Sequence, residues 1–174
     1  MSLALHIRPA SVTDAGVLAA LAERTFVETF AAENRPEDLA IHVARSYGIE
    51  IQARELADPD VTYLIAEADG TPAGYALVRG GGAPSCVTGA APVQIQRFYV
   101  DRPWLGTGVA RALMVACEEE ARRRGGRTLW LGVWERNARA IRFYEKAGFK
   151  DVGAHAFHVG TDAQTDRVLA RDLD

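Results

Sequence analysis

From Leu129 to Trp134 the chain reads Leu-Trp-Leu-Gly-Val-Trp, with no charged side chain, after a helix-ending Gly125-Gly126. A strand with one wet face alternates apolar and polar residues. An unbroken apolar run of this length reads as a strand buried on both faces. That one segment (127–134) asks for layers on both sides of a sheet, and the rest of the chain supplies them.

Residues 3–10 read as a first strand closed by Pro9. Thr13-Asp14 starts a helix whose apolar residues, Val17, Leu18, Leu21, Ala22, Phe26 and Phe30, recur at helical spacing. Asn34 to Asp38 breaks it and starts a second helical segment, because Pro36 followed by two acids suits a first turn. That segment runs to about Ala57, with Gly48 as its point of interruption. Asp58-Pro59-Asp60 is a turn. Residues 61–80 form two strands around Asp69-Gly70. Residues 80–92 are a small-residue loop of low complexity, expected to be mobile or an inserted tip. A strand over 93–100, a helix over about 108–124, the apolar strand, a helix over 135–149 and two closing strands over 154–159 and 166–173 complete the order. The expectation is an α/β fold with a mixed sheet in one domain spanning 1–174.

The 174 residues carry a net charge of −3. Residues 1–69 hold 12 acids against five arginines, whereas residues 70–174 hold 11 acids against 15 bases. An anionic ligand on the later part and a cationic one near the earlier part would suit that split. No basic stripe points to nucleic acid, and no apolar run is long enough to span a bilayer. There is no signal-peptide pattern, and two cysteines, Cys86 and Cys117, make no disulfide framework, so a cytoplasmic location is expected. His155 and His158 fall on opposite faces of a strand, so no metal site is expected. Glu118 to Glu120, followed by Arg122 to Arg124, read as ion pairs on an exposed helix face.

The stretch Arg102-Pro103-Trp104-Leu105-Gly106-Thr107-Gly108-Val109-Ala110-Arg111 joins a strand to a helix. It lacks the lysine of a nucleotide-binding P-loop, and Arg111 occupies the third glycine position of a dinucleotide fingerprint. Two readings stay open from these residues alone: a tight turn, or an anion site of unpaired amides at a helix N-terminus.

Residues 133–149, with Asn137, Ala140, Ile141, Tyr144 and Gly148-Phe149, closely resemble the second signature of the GCN5-related N-acetyltransferases (GNAT). The loop Leu105-Gly106-Thr107-Gly108-Val109-Ala110 resembles that family's pyrophosphate loop, with Leu105 where a Gln or Arg is usual. The resemblance implies a GNAT-type single domain: a mixed, mostly antiparallel sheet flanked by helices, with acyl-CoA in a cleft between the two central strands. It implies acetyl-CoA as the acetyl donor. Phe98, Tyr99 and Val100 are then the pantetheine strand, Gly106, Thr107, Gly108, Val109, Ala110 and Arg111 the phosphate loop, Asn137 a further cofactor contact and Tyr144 the general acid. A strand amide would polarise the thioester carbonyl. Many relatives carry a Glu on the pantetheine strand. Here that strand offers Gln94 and Gln96, which cannot accept a proton, so either a more distant group serves as base through water, with Glu28, Glu33 and His42 as the candidates, or the amine is taken up already neutral.

The expected function is direct transfer of acetyl to a primary amine of a small molecule. Residues 24–43 resemble the polyamine-acetylating branch of the family, which the acidic early part suits. A protein N-terminal acetyltransferase and a non-catalytic acyl-CoA-binding module are the alternatives. The resemblance also leaves room for a homodimer.

Overall fold

The computed structural model describes residues 2–174. Its strands are β1 (Leu5–Pro9), β2 (Val61–Ala68), β3 (Thr71–Gly80), β4 (Pro92–Val100), β5 (Thr128–Trp134), β6 (Lys150–Val159) and β7 (Asp162–Asp172). Its helices are α1 (Ala15–Phe30), α2 (Pro36–Ser46), α3 (Ile49–Ala57), α4 (Val109–Arg123) and α5 (Ala138–Lys146). The strands form one sheet in the order β1-β2-β3-β4-β5-β7-β6. Every neighbouring pair is antiparallel except β4 with β5.

The unbroken apolar run has the consequence its pattern predicts. Leu129, Leu131 and Val133 of β5 join Val109, Leu113, Cys117 and Tyr144 in the core beneath α4 and α5. Trp134 faces the other way and packs on Phe30 of α1, with ring centroids 5.1 Å apart. The sheet is thus covered on both sides: α4 and α5 on one, α1 to α3 on the other.

Two sequence expectations change in detail and a third holds. The second helical segment breaks at Gly48 into two helices, α2 and α3. The buried Gln52 amide bonds across the break, accepting from Gly48 N at 2.7 Å and donating to Ser46 O at 2.8 Å. The closing strands are longer than their apolar residues suggest, because the β6–β7 hairpin lies at the sheet edge, where polar Asp151, Asp162 and Gln164 are tolerated. Glu120 is not on an exposed face. It is buried between α4 and β2, where it accepts from Thr62 Oγ1 at 2.6 Å and Arg124 Nε at 3.0 Å. The 80–92 loop, for its part, docks on β5 through a 2.8 Å bond from Thr128 Oγ1 to Ala90 O.

Candidate active site

The parallel pairing of β4 and β5 covers only Pro92–Ile95 against Thr128–Leu131. Beyond it β4 runs on to Val100 and β5 to Trp134 without bonding each other, so the sheet opens at its centre. One extra residue in β4, Gln96, shifts the β3–β4 register at Leu77/Val78. Such a bulge bends its strand and helps turn β4 away. Asp101 N donates to Ala73 O at 2.8 Å, which sets the phase of that ladder. Tyr99 bonds toward β3, and the amides and carbonyls of Phe98 and Val100 face the gap.

The gap is part of a cavity of about 920 Å³ that passes through the sheet. On the α4/α5 side it is lined by Phe98, Val100, Ala140, Phe143 and Tyr144. The Tyr144 ring is wedged among Phe98, Phe143 and Phe149, with centroids 5.5–5.9 Å away. Its hydroxyl bonds no group among the described residues, and burial raises its pKa, so it keeps its proton. Asn137 caps α5: its Oδ1 accepts from Ala140 N at 3.2 Å. It lines the same cavity.

At the end of this groove stands the N-terminus of α4. Gly106 and Gly108 have φ of +78° and +96° and border the cavity. The first amide of the helix to find a carbonyl is Ala112 N, which donates to Gly108 O at 3.1 Å. The amides of Gly108 to Arg111 therefore leave the helix end without intrahelical partners, on its positive pole. Arg102, Arg111 and Arg139 line the cavity here. Thr107 and Val109 do not. Thr107 is exposed, and both its hydroxyl and its amide donate to Trp104 O, at 2.6 and 3.3 Å; Val109 is fully buried in the core, which leaves it only its backbone amide to offer. Leu105, exposed at the rim, borders the cavity with its apolar side chain. The turn before it is anchored by Asp101, which accepts from Arg24 at 3.2 and 2.8 Å and from Arg102 N at 3.1 Å.

On the α1/α2 side the walls are different. Tyr99 stacks on Tyr75 at 5.8 Å. Arg97 is neutralised by Glu55 at 2.9 Å and lies 5.4 Å from the centre of the Tyr47 ring. His42 stacks on Phe26 at 4.0 Å. Burial lowers its pKa, which favours the neutral ring. Glu28 and Glu33 stand exposed at the mouth, Glu33 paired with Arg136 at 3.2 Å. All three base candidates named from the sequence thus border the cavity. So does one carboxylate that sequence reasoning missed, Asp166 of β7.

A model of the acetyltransferase (GNAT) family matches residues 20–149. The chain belongs to that family. It is 37% identical to an uncharacterised N-acetyltransferase of Mycobacterium tuberculosis over 93% of this chain and 99% of that protein. It is 31% identical to another from Lactobacillus delbrueckii subsp. lactis, over 88% and 89%. Among solved structures, the PaiA N-acetyltransferase of Thermoplasma acidophilum in complex with coenzyme A superposes with a TM-score of 0.77 at 20% identity, over 97% of this chain and 99% of that one. The ribosomal-protein-S18-alanine N-acetyltransferase of Escherichia coli superposes with a TM-score of 0.70 at 20% identity, over 98% and 95%. As a GNAT enzyme the chain is an N-acetyltransferase that uses acetyl-CoA as its donor. Its residues fit that cosubstrate: unpaired helix amides and three arginines suit a diphosphate, and the opened strand edge suits an amide-bearing arm.

Proposed function

We propose that this chain transfers acetyl from acetyl-CoA directly to a primary amine of a small cationic molecule of the polyamine class. The observation that carries the acceptor class is the sorting of charge within one cavity. Arg102, Arg111 and Arg139 line its α4/α5 end, while the α1 side carries Glu28 and Asp166, with Glu33 there offset by its pair with Arg136. An ammonium-bearing acceptor is drawn to the acidic end and an anionic donor to the basic one.

In this reading the amides of Gly106 and of Gly108 to Arg111, with the nearby arginines, hold the diphosphate, and Asn137 orients the start of α5. When bound, acetyl-CoA supplies a thioester whose sulfur leaves as a thiolate. The amides of Phe98 and Val100 face the gap, where one of them can stabilise the oxygen that gains charge. The Tyr144 hydroxyl, kept protonated by burial, gives its proton to the leaving sulfur. Among the described residues no cysteine lines the cavity, and burial raises the Cys117 thiol far above its ordinary pKa, which favours direct transfer over an acyl-enzyme.

A peptide N-terminus is the competing acceptor. An Escherichia coli bS18-alanine N-acetyltransferase is 35% identical to this chain over 71 residues, and its name supports that alternative. The test is initial-rate measurement with acetyl-CoA and a panel of spermidine, free amino acids and peptides. Preferred turnover of spermidine is expected. Turnover confined to peptides would sink the polyamine assignment.

A further inference from the structure

The cavity contains a carboxylate in an uncommon setting. Asp166 is 8% exposed, and its Oδ1 is buried without a hydrogen-bond partner among the described residues. A buried charged oxygen left unpaired is costly, so its retention needs a reason. It sits directly across from Trp134 on β5 and from His155 on β6, and its Oδ2 lies 3.7 Å from His155 Nε2. What makes room for this pair is Gly132. A β-carbon there would come within 2.8 Å of His155 Nε2 and 3.1 Å of Asp166 Oδ2. Gly132 directly follows Leu131, the last residue of β5 to pair with β4. The pair therefore stands where the sheet begins to part, on the acceptor side.

We propose that Asp166 is the general base of the acetyl transfer and that His155 is its positioning partner. The inference rests on the amine-acetylating function argued above. The ammonium of the acceptor gives one proton to the Asp166 carboxylate, directly or across one water; the freed lone pair forms the new C–N bond as the C–S bond breaks, Tyr144 protonates the leaving sulfur, and the second proton of the product nitrogen restores the Tyr144 phenol. The other candidates stand less well. Glu33 is taken by Arg136 and lies with Glu28 at the exposed mouth. His42 is held on α2 by its stack on Phe26, and its burial favours the neutral ring.

The titratable groups that bear on Asp166 are His155 from β6 and Tyr99 from β4. Burial lifts the carboxyl to about 6, and His155 opposes that lift. At pH 7 to 8 Asp166 is thus largely ionised and has the proton affinity a base needs.

The experiment compares wild type with Asp166→Asn, using the amine the wild type acetylates fastest. A loss of kcat on the order of 10²–10⁴ is expected, with KM for the amine and affinity for CoA retained. The acidic limb of the kcat/KM profile near pH 6 should disappear. The asparagine removes an unpaired buried charge, so its Tm at pH 8 should not fall. An unchanged kcat, or a raised KM alone, overturns the assignment. A wild type active only on peptides defeats the polyamine reading and moves the same comparison to a peptide. Carbon-13 NMR of the Asp166 carboxyl in acceptor-free enzyme gives a readout independent of turnover. It should titrate near 6 and move higher in His155→Gln; a carboxyl titrating in the ordinary range, about 4, overturns the proposal.

Discussion

At the scale of single residues, Tyr144 joins packing to chemistry. Three aromatic rings fix its orientation, and its hydroxyl is left facing a cavity rather than a partner. Ring and hydroxyl can therefore be separated by mutation. Tyr144→Phe keeps the volume and the aromatic contacts, so Tm and the affinity for CoA, measured by calorimetry, should match wild type. Turnover should fall by about 10²-fold or more, because the leaving sulfur loses its proton donor. A rate equal to wild type would show that the hydroxyl takes no part. Asn137 is the contrasting case, since its side-chain oxygen already caps α5 and its loss would act through the helix as well as the site.

At the scale of elements, the N-terminus of α4 is the feature most dependent on local sequence. Gly108 has φ of +96°, a conformation that costs a residue with a β-carbon about 1–2 kcal/mol. Gly108→Ala has open space around the new methyl group, so its effect should come through the backbone. The expected outcome is a lower affinity for CoA, read by calorimetry, with a small drop in Tm; undiminished affinity would argue against this loop as the phosphate cradle. The glycines of this loop, like the unbroken run of β5, could be read from sequence because each states its requirement within a few residues. The fate of Glu120 could not, because its burial depends on Thr62, 58 residues away. Asp166 was hidden for the same reason. Its apolar neighbours reveal a strand, but only the register against Gly132, Trp134 and His155 shows that it points into the cavity. The opening between β4 and β5 was likewise inferred by resemblance, since a point where two strands stop pairing leaves no periodic mark.

At the scale of the whole molecule, the carboxylates divide into two classes with opposite effects on stability. Asp14 ties β1 to the start of α1 by accepting two bonds from Arg8, each 2.9 Å. Asp38 ties α2 to the β6–β7 turn by accepting from Arg35 and from Thr161 N and Oγ1 at 2.9 and 2.7 Å. The guanidinium of Arg8 holds Asp14 down at about 2, and Arg35, then Thr161, hold Asp38 at about 2. A pKa below the unfolded value, about 3.9, adds stability that is complete above that value and is lost as pH falls toward 2. Asp166 works in the other direction. Burial raises it to about 6, so the folded state prefers its protonated form, and stability declines as pH rises from about 4 through 6. Calorimetric Tm measured across pH should therefore climb from pH 2 to about 4 and then bend downward toward pH 7. Asp166→Asn should abolish the downward bend while leaving the acid limb intact, and Asp38→Asn should reduce the acid limb to the share carried by Asp14 while leaving the bend. Each variant should alter only its own limb, because Asp38 and Asp166 share no partner and effects at independent sites add. A bend that persists in Asp166→Asn would assign it to another group and remove the stability cost ascribed to the buried carboxylate.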